Sequence, residues 1–212
     1  MSVNTYKPKS WKYGVHPSVA IIQKWLNELE GKTGKSLEQW MKIIGKSPVK
    51  ENKARLIWLK ETYGLGTNTA SWLVDRANGK IDMDETPEAY FITANKWVDD
   101  MFAGPKQDLL PLYDKIMEYG YAIRKDVRAC PCRTMVPFYR SHVFAQIKPS
   151  TRTRIDIGLA LKGVGKVPAR LVDTGGEGKG DRITHRIPVT RLDEIDSFVV
   201  KWLKTAYELD AK

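Results

Sequence analysis

Cys130 and Cys132 stand one residue apart in the stretch Arg128-Ala-Cys-Pro-Cys-Arg-Thr-Met-Val-Pro-Phe-Tyr-Arg140. On an extended strand, residues i and i+2 point to the same face. The two sulfurs, completed by His142 and His185, would then make a soft N/S set suited to zinc. Structural zinc sites, however, space their cysteines about two to four residues apart and pair their ligands locally, and the chain has no such second pair. A redox role would require Arg128 and Arg133 to lower a thiol pKa. The plainer reading is two small apolar side chains that help to set a strand, with neither a metal nor a cofactor expected.

The arginines around that pair offer more. Arg124, Lys125, Arg128, Arg133, Arg140, Lys148, Arg152 and Arg154 fall within thirty-one residues. The formal charge of the chain is +10, and residues 120–191 alone carry +10, against +2 before them and −2 after. That block also holds ten of the twelve arginines, whereas the N-terminal half uses lysine almost exclusively. The guanidinium is a planar fork of donors matched to phosphate and carboxylate, so a local switch from Lys to Arg points to recognition. Strand alternation would gather several of these cations on one sheet face, extended by Arg182 and Arg186, with Tyr139 or His142 placed to stack or hydrogen-bond. The competing reading is a solvated basic face paired with Asp126, Asp156 and Asp181.

Three further stretches suggest chemistry. Thr174-Gly-Gly-Glu-Gly-Lys-Gly-Asp-Arg182 is rich in glycine, but Gly178-Lys179 is followed by Gly-Asp and then a strand, whereas a phosphate-binding P-loop needs Lys-Ser/Thr and then a helix. A loop closing over an anion with Lys179 and Arg182 is the better expectation. His185 shares its register with Ile183 and Ile187 and is expected to point inward, held by a hydrogen bond, with no serine motif or paired acid to make a triad. Gly64-Leu-Gly-Thr-Asn-Thr-Ala70 looks like the tight turn of helix-hairpin-helix and helix-turn-helix DNA binders, which would put Thr67, Asn68 and Lys60 near DNA; a helix stop followed by a capped start explains the same residues.

The elements that position these groups follow from hydrophobic spacing. Residues 17–104 read as a helical domain, with apolar faces at Val19, Ile22, Leu26 and Leu29, then at Leu37, Trp40, Met41 and Ile44. Ser36 and Gln39 form a capping box, Gly64 ends a helix that starts near Glu51, Thr67 or Asn68 caps the next, and Thr86-Pro87 opens a fifth with Ala94, Trp97, Val98 and Met101 inward. Trp25, Trp40, Trp58, Trp72 and Trp97 are expected in cores. Residues 105–212 read as a helix over Lys106 to Tyr119, a hairpin turning at Ser141-His142, a half-buried strand around Ile155 to Leu161, another over Ile183 to Val189, and a final helix capped by Thr190. The expectation is an α+β protein, a helical N-terminal domain packed on an antiparallel sheet of four to five strands with helices on one face. Residues 1–16 read as a basic tail whose Tyr6-Lys-Pro-Lys-Ser-Trp-Lys-Tyr13 wraps the domain or a partner. The N-terminus lacks the apolar core of a signal peptide, and no run is long enough to cross a membrane, so a cytoplasmic protein is expected, without a membrane partner.

Thr33-Gly-Lys-Ser-Leu-Glu-Gln-Trp40 and Trp58-Leu-Lys-Glu-Thr-Tyr-Gly-Leu-Gly66 resemble the bacterial domain-of-unknown-function family numbered 4287. Val136-Pro-Phe-Tyr-Arg140, His142-Val-Phe-Ala-Gln-Ile-Lys-Pro149, Arg154-Ile-Asp-Ile-Gly-Leu159 and Trp202-Leu-Lys-Thr-Ala-Tyr207 resemble the family numbered 5655. Domains similar to the second occur beside restriction-type nucleases, and their outline resembles YjbR-like modules linked to DNA binding. The resemblance implies a fold and a setting, and it transfers no catalytic residue. Charge and resemblance together lead to the expectation of a nucleic-acid or polyanion binding module contacting the phosphate backbone. The alternatives are a small anionic ligand-binding protein or enzyme using a pocket near the Gly-rich loop, and a protein-interaction module for acidic partners; no catalytic residue is assigned.

Overall fold

The computed structural model describes Tyr6, residues 8–79 and residues 85–211. These form two compact units: His16–Tyr90, and a second built from the described residues before His16 together with 91–211.

The first unit holds helices α1 (Pro17–Thr33), α2 (Leu37–Gly45), α3 (Asn52–Tyr63) and α4 (Thr67–Ala77), and the start of α5 (Pro87–Met101). Its core is Leu29, Trp40, Ile44, Leu59, Leu65, Ala70, Leu73 and Val74. The capping box at the start of α2 is present in both directions, Gln39 N–H to Ser36 Oγ and Ser36 N–H to Gln39 Oε1. Gly64, at φ +66°, ends α3 in the left-handed region that glycine enters without a Cβ clash. Neither Thr67 nor Asn68 caps α4: the cap is Gly66, with no side-chain bond, so both lie exposed inside the first turn. Trp25 packs edge-on against Trp72, and Trp40 and Trp58 edge-on against Tyr63, so these rings serve the core.

In the second unit a 3-10 turn over Gly104–Leu109 precedes α6 (Leu110–Tyr121), so the helix expected from Lys106 is split. Six antiparallel strands follow where four or five were expected: β1 (Arg128–Ala129), β2 (Val136–Tyr139), β3 (Val143–Pro149), β4 (Ile155–Leu159), β5 (Val172–Asp173) and β6 (His185–Val189), in the order β1-β2-β3-β4-β6-β5. The additional pair, β1 and β5, are two-residue edge strands, too short to show a period. Cys130 and Cys132 carry the pairing beyond β1, Cys130 N–H bonding Pro137 O and Cys132 N–H bonding Met135 O. The β2–β3 hairpin turns at Ser141-His142.

The last helix, α7 (Ser197–Leu209), is capped by Asp196, whose Oδ1 accepts the N–H groups of Phe198 and Val199. Thr190 instead bonds Glu194, ahead of a separate 3-10 turn. Both α6 and α7 pack on one sheet face. A Cβ on Gly120 of α6 would sit 2.3 Å from the Phe138 ring, and Tyr207 of α7 meets Phe144 edge-on. The core joins Phe138, Ile147, Ile157 and Ile187 to Ile116, Val199 and Leu203. Strand β4, expected to be half-buried, is buried on both faces. On the face away from the helices Gly158 lies beneath Gln146 and Ile183, and Asp156 is covered by two arginines. Among the described residues no helix is long and apolar enough to cross a membrane.

Candidate functional site

The segment before α1 is tied to the sheet unit by one buried carboxylate. Asp114 of α6, 2% exposed, accepts hydrogen bonds from Tyr6 Oη at 2.6 Å, the Lys9 amide at 2.9 Å and Trp11 Nε1 at 2.6 Å. Further along, Gly14 N–H bonds Ala129 O of β1 at 2.8 Å, and the Cys130 thiol contacts Val15 O at 3.6 Å. Glycine is required at position 14, because a Cβ there would lie 2.8 Å from Arg128 Cβ. For Tyr6 and residues 8–15 the expected wrapping of the basic aromatic tail thus takes place on the chain's own sheet unit; residues 1–5 and 7 of that tail lie outside the described residues.

This docking makes a groove of 560 Å³ lined by Trp11, Lys12, Tyr13, Tyr121, Lys125 and Arg128, together with Gly14 and Val127. Among the described residues, three cations line it and no carboxylate does. Trp11 stacks on Tyr121 at 5.8 Å, and Tyr121 Oη donates to Lys12 O at 2.5 Å, which fixes the lysine's backbone while its side chain stays exposed. Burial raises the pKa of Tyr121 and takes Tyr13 up to about 12, so both phenols remain neutral donors at physiological pH.

A second hollow, 720 Å³, meets the first at Lys125 and is lined by Arg124, Asp126, Arg140, Tyr207, Glu208 and Ala211 as well. The Arg140 guanidinium lies 4.5 Å above the Tyr207 ring and 3.7 Å from Asp126, which also accepts from Tyr207 Oη. Arg128 Nη2 donates to Arg140 O at 3.2 Å and joins the two hollows.

The structure therefore gathers Arg124, Lys125, Arg128 and Arg140 and leaves the other expected cations elsewhere. Arg154 and Arg186 flank Asp156 at 3.0 and 2.9 Å on the face away from the helices, and Lys148 stands opposite the same aspartate across β3 and β4. Arg182 pairs with Asp210 rather than Asp181 and donates to Val143 O at 2.6 Å. Asp210 also accepts the Ser141 and His142 amides and contacts the His142 ring at 3.2 Å, so His142 belongs to that knot. Arg133 and Arg152 are exposed in turns, and Lys179 is exposed on the 3-10 turn of the Gly-rich loop. The small pocket beside that loop, 310 Å³, is lined by Lys162 and Arg182 against Glu177, Asp181 and Asp210; Arg140, Arg154 and His185 do not line it.

Tyr139 is 9% exposed, so the expected stacking role has no open ring face; burial takes its pKa up to about 12. His185, half-buried, sits opposite Leu159 in the sheet and shares a 2.9 Å hydrogen bond with Thr184 Oγ1, while Ile183, expected on the same face, packs over Gly158 on the other face because β6 begins only at His185. Burial raises the Cys130 thiol to about 12 despite the pull of Arg128, so that thiol stays protonated near neutral pH. Among the described residues no group of three or more His, Cys, Asp or Glu side chains is placed to hold a metal.

The groove residues missed by sequence reasoning are Trp11, Lys12, Tyr13, Tyr121 and Tyr207. Their one signal was the interleaving of lysines and aromatics before residue 14, and nothing in it named the partner surface about a hundred residues away.

No curated protein and no solved structure matches the chain. Residues 22–79 match the family described as Domain of unknown function (DUF4287). Residues 98–210, more than half of the chain and the part that carries the sheet and one wall of the groove, match Domain of unknown function (DUF5655), and the chain belongs to that family.

Proposed function

We propose that the protein binds nucleic acid through the groove between its N-terminal segment and the end of α6, holding phosphates with Lys12, Lys125 and Arg128 and bases against Trp11 and Tyr13. The observation that carries this reading is a groove whose described lining residues include three cations and aromatic rings and no carboxylate. Charge of one sign along a groove tracks a phosphate backbone, and aromatic faces stack bases of any sequence, each worth about 1–3 kcal/mol. Arg124 in the adjoining hollow extends the track by one phosphate, whereas Arg140 there is already paired with Asp126. The sheet-face arginines fit the role less well, because Asp156 already neutralises part of their charge.

The test is fluorescence anisotropy with labelled single-stranded and duplex oligonucleotides across a salt series, with heparin as a competitor lacking bases. The expected result is preference for the single strand, with log K falling against log salt at a slope of about −2 to −3, since each neutralised phosphate contributes about −0.7. Equal binding of heparin and single strand would reduce the reading to a general polyanion site. Absence of oligonucleotide binding at low salt would refute it.

A further inference from the structure

Trp11 and Tyr13 also line a cavity of opposite character, with a carboxylate among its described lining residues. It measures 490 Å³, within the ~300–1,000 Å³ usual for small-molecule sites. Its walls include Tyr6, Trp11, Tyr13, Phe102 and Tyr113, and the carboxylate of Asp99 stands among them. Phe102 and Tyr113 pack at 4.8 Å, and Tyr13 and Tyr113 share a hydrogen bond at 2.9 Å, so the rings are fixed by one another.

The charges around this cavity are unbalanced. Lys9 is the one cation among its described lining residues, and its ammonium is committed to Glu118 at 3.3 Å. Behind the aromatic wall, the three described hydrogen bonds to Asp114 come from a phenol, a backbone amide and an indole; no described cation pairs with it. Neutral donors share a carboxylate's charge without cancelling it. Burial first, and then Asp114 through its hydrogen bond and charge, pushes Tyr6 up to about 12, which keeps it a neutral donor to Asp114. Aromatic faces add the negative side of their quadrupoles. The chain already uses one such face in this way, holding the Lys9 ammonium 5.9 Å from the Trp11 ring.

We propose that this cavity binds an organic ammonium, with the aromatic rings enclosing its alkyl groups and Asp99 at its charge. A quaternary or methylated ammonium fits better than a primary one, because it has little hydration to lose and the cavity wall offers ring faces rather than many acceptors. Such a group is carried either by a free amine of the choline type or by a methylated lysine side chain, and both present the same chemistry to the rings. The site does not depend on the nucleic-acid reading, since its charge is opposite and Asp99 lies outside the basic groove.

Titration of the isotope-labelled full chain, followed by NMR, reports from inside the site through the Trp11 indole N–H and the Lys9 amide, both bonded to Asp114. The probes are choline, its neutral isostere in which carbon replaces the quaternary nitrogen, and a trimethyllysine peptide beside its unmodified form. The expected result is saturable shifts with choline or the trimethylated peptide, at least tenfold weaker with the isostere or unmodified peptide; the tighter of the two charged probes identifies the source. Asp99→Asn, at an exposed position that the fold does not need, is expected to weaken binding about fivefold, while Lys125→Ala leaves it unchanged. Equal affinity for choline and its isostere, or no shift with either charged probe, overturns the proposal.

Discussion

Arg154 and Arg186 share Asp156, a carboxylate only 6% exposed, and Arg182 is bound to Asp210; at the sheet edge, Lys12, Lys125 and Arg128 have no described carboxylate within ion-pair distance. All six lie on the same compact unit and carry the same charge. The difference lies in what each cation already holds. A guanidinium paired with a buried carboxylate is part of the fold, and removing its partner leaves a charge stranded. A cation at a groove wall with no carboxylate beside it retains its electrostatic attraction for an incoming phosphate. Local charge density therefore marks a block of sequence, whereas pairing separates its structural members from those open to a ligand.

That contrast can be broken most directly by substituting each set. The triple variant Lys12→Ala, Lys125→Ala, Arg128→Ala is expected to lose roughly 100-fold in single-strand affinity at low salt while melting like the parent, and Arg154→Gln with Arg186→Gln to change affinity less than threefold. Comparable losses from the two variants would erase the distinction. The next effect is on stability: Asp156→Ala, which strands two arginines, should cost about 2 kcal/mol in urea unfolding, below the loss for a fully buried pair because both guanidiniums keep some solvent. A cost under 0.5 kcal/mol would show that these arginines are not structural.

The acid limb sharpens the same comparison. Burial alone would raise Asp210, but the His142 amide, the Arg182 charge and the Ser141 amide more than reverse it and hold its pKa below the usual value. Its contribution to stability is then present above its unfolded pKa of about 3.9 and lost as pH falls through the lower folded value. Asp210→Asn should flatten the stability profile below about pH 4, seen in melts across a pH series; an unchanged profile would place the acid sensitivity elsewhere. The smallest effect is expected at the groove, where Lys125→Ala should alter unfolding free energy by less than about 0.5 kcal/mol. A larger loss would mean that Lys125 supports the fold.

Much of the fold could be read locally. Ser36 and Gln39 form their capping box and Gly64 its left-handed stop because each needs only a few neighbouring residues. Misreadings arose where two local solutions compete. Gly66 caps α4 with its backbone alone, which puts Thr67 and Asn68 inside the helix, and Asp196 takes α7 because a separate 3-10 turn uses Thr190 first. Strands β1 and β5, at two residues each, are defined only by their partners. The groove was half legible: Lys125 and Arg128 stood out by charge, but Trp11 and Lys12 reach them through Asp114 and Ala129, contacts about a hundred residues apart that no spacing rule records.

The central claim, that the cations without carboxylate partners bind the phosphates, is tested most directly by the salt dependence of single-strand binding in the groove triple variant and the Arg154/Arg186 variant side by side. The expected result is a slope reduced by about two in the groove variant and unchanged in the sheet-face variant. An unchanged slope in the groove variant, or an equal reduction in both, would contradict it.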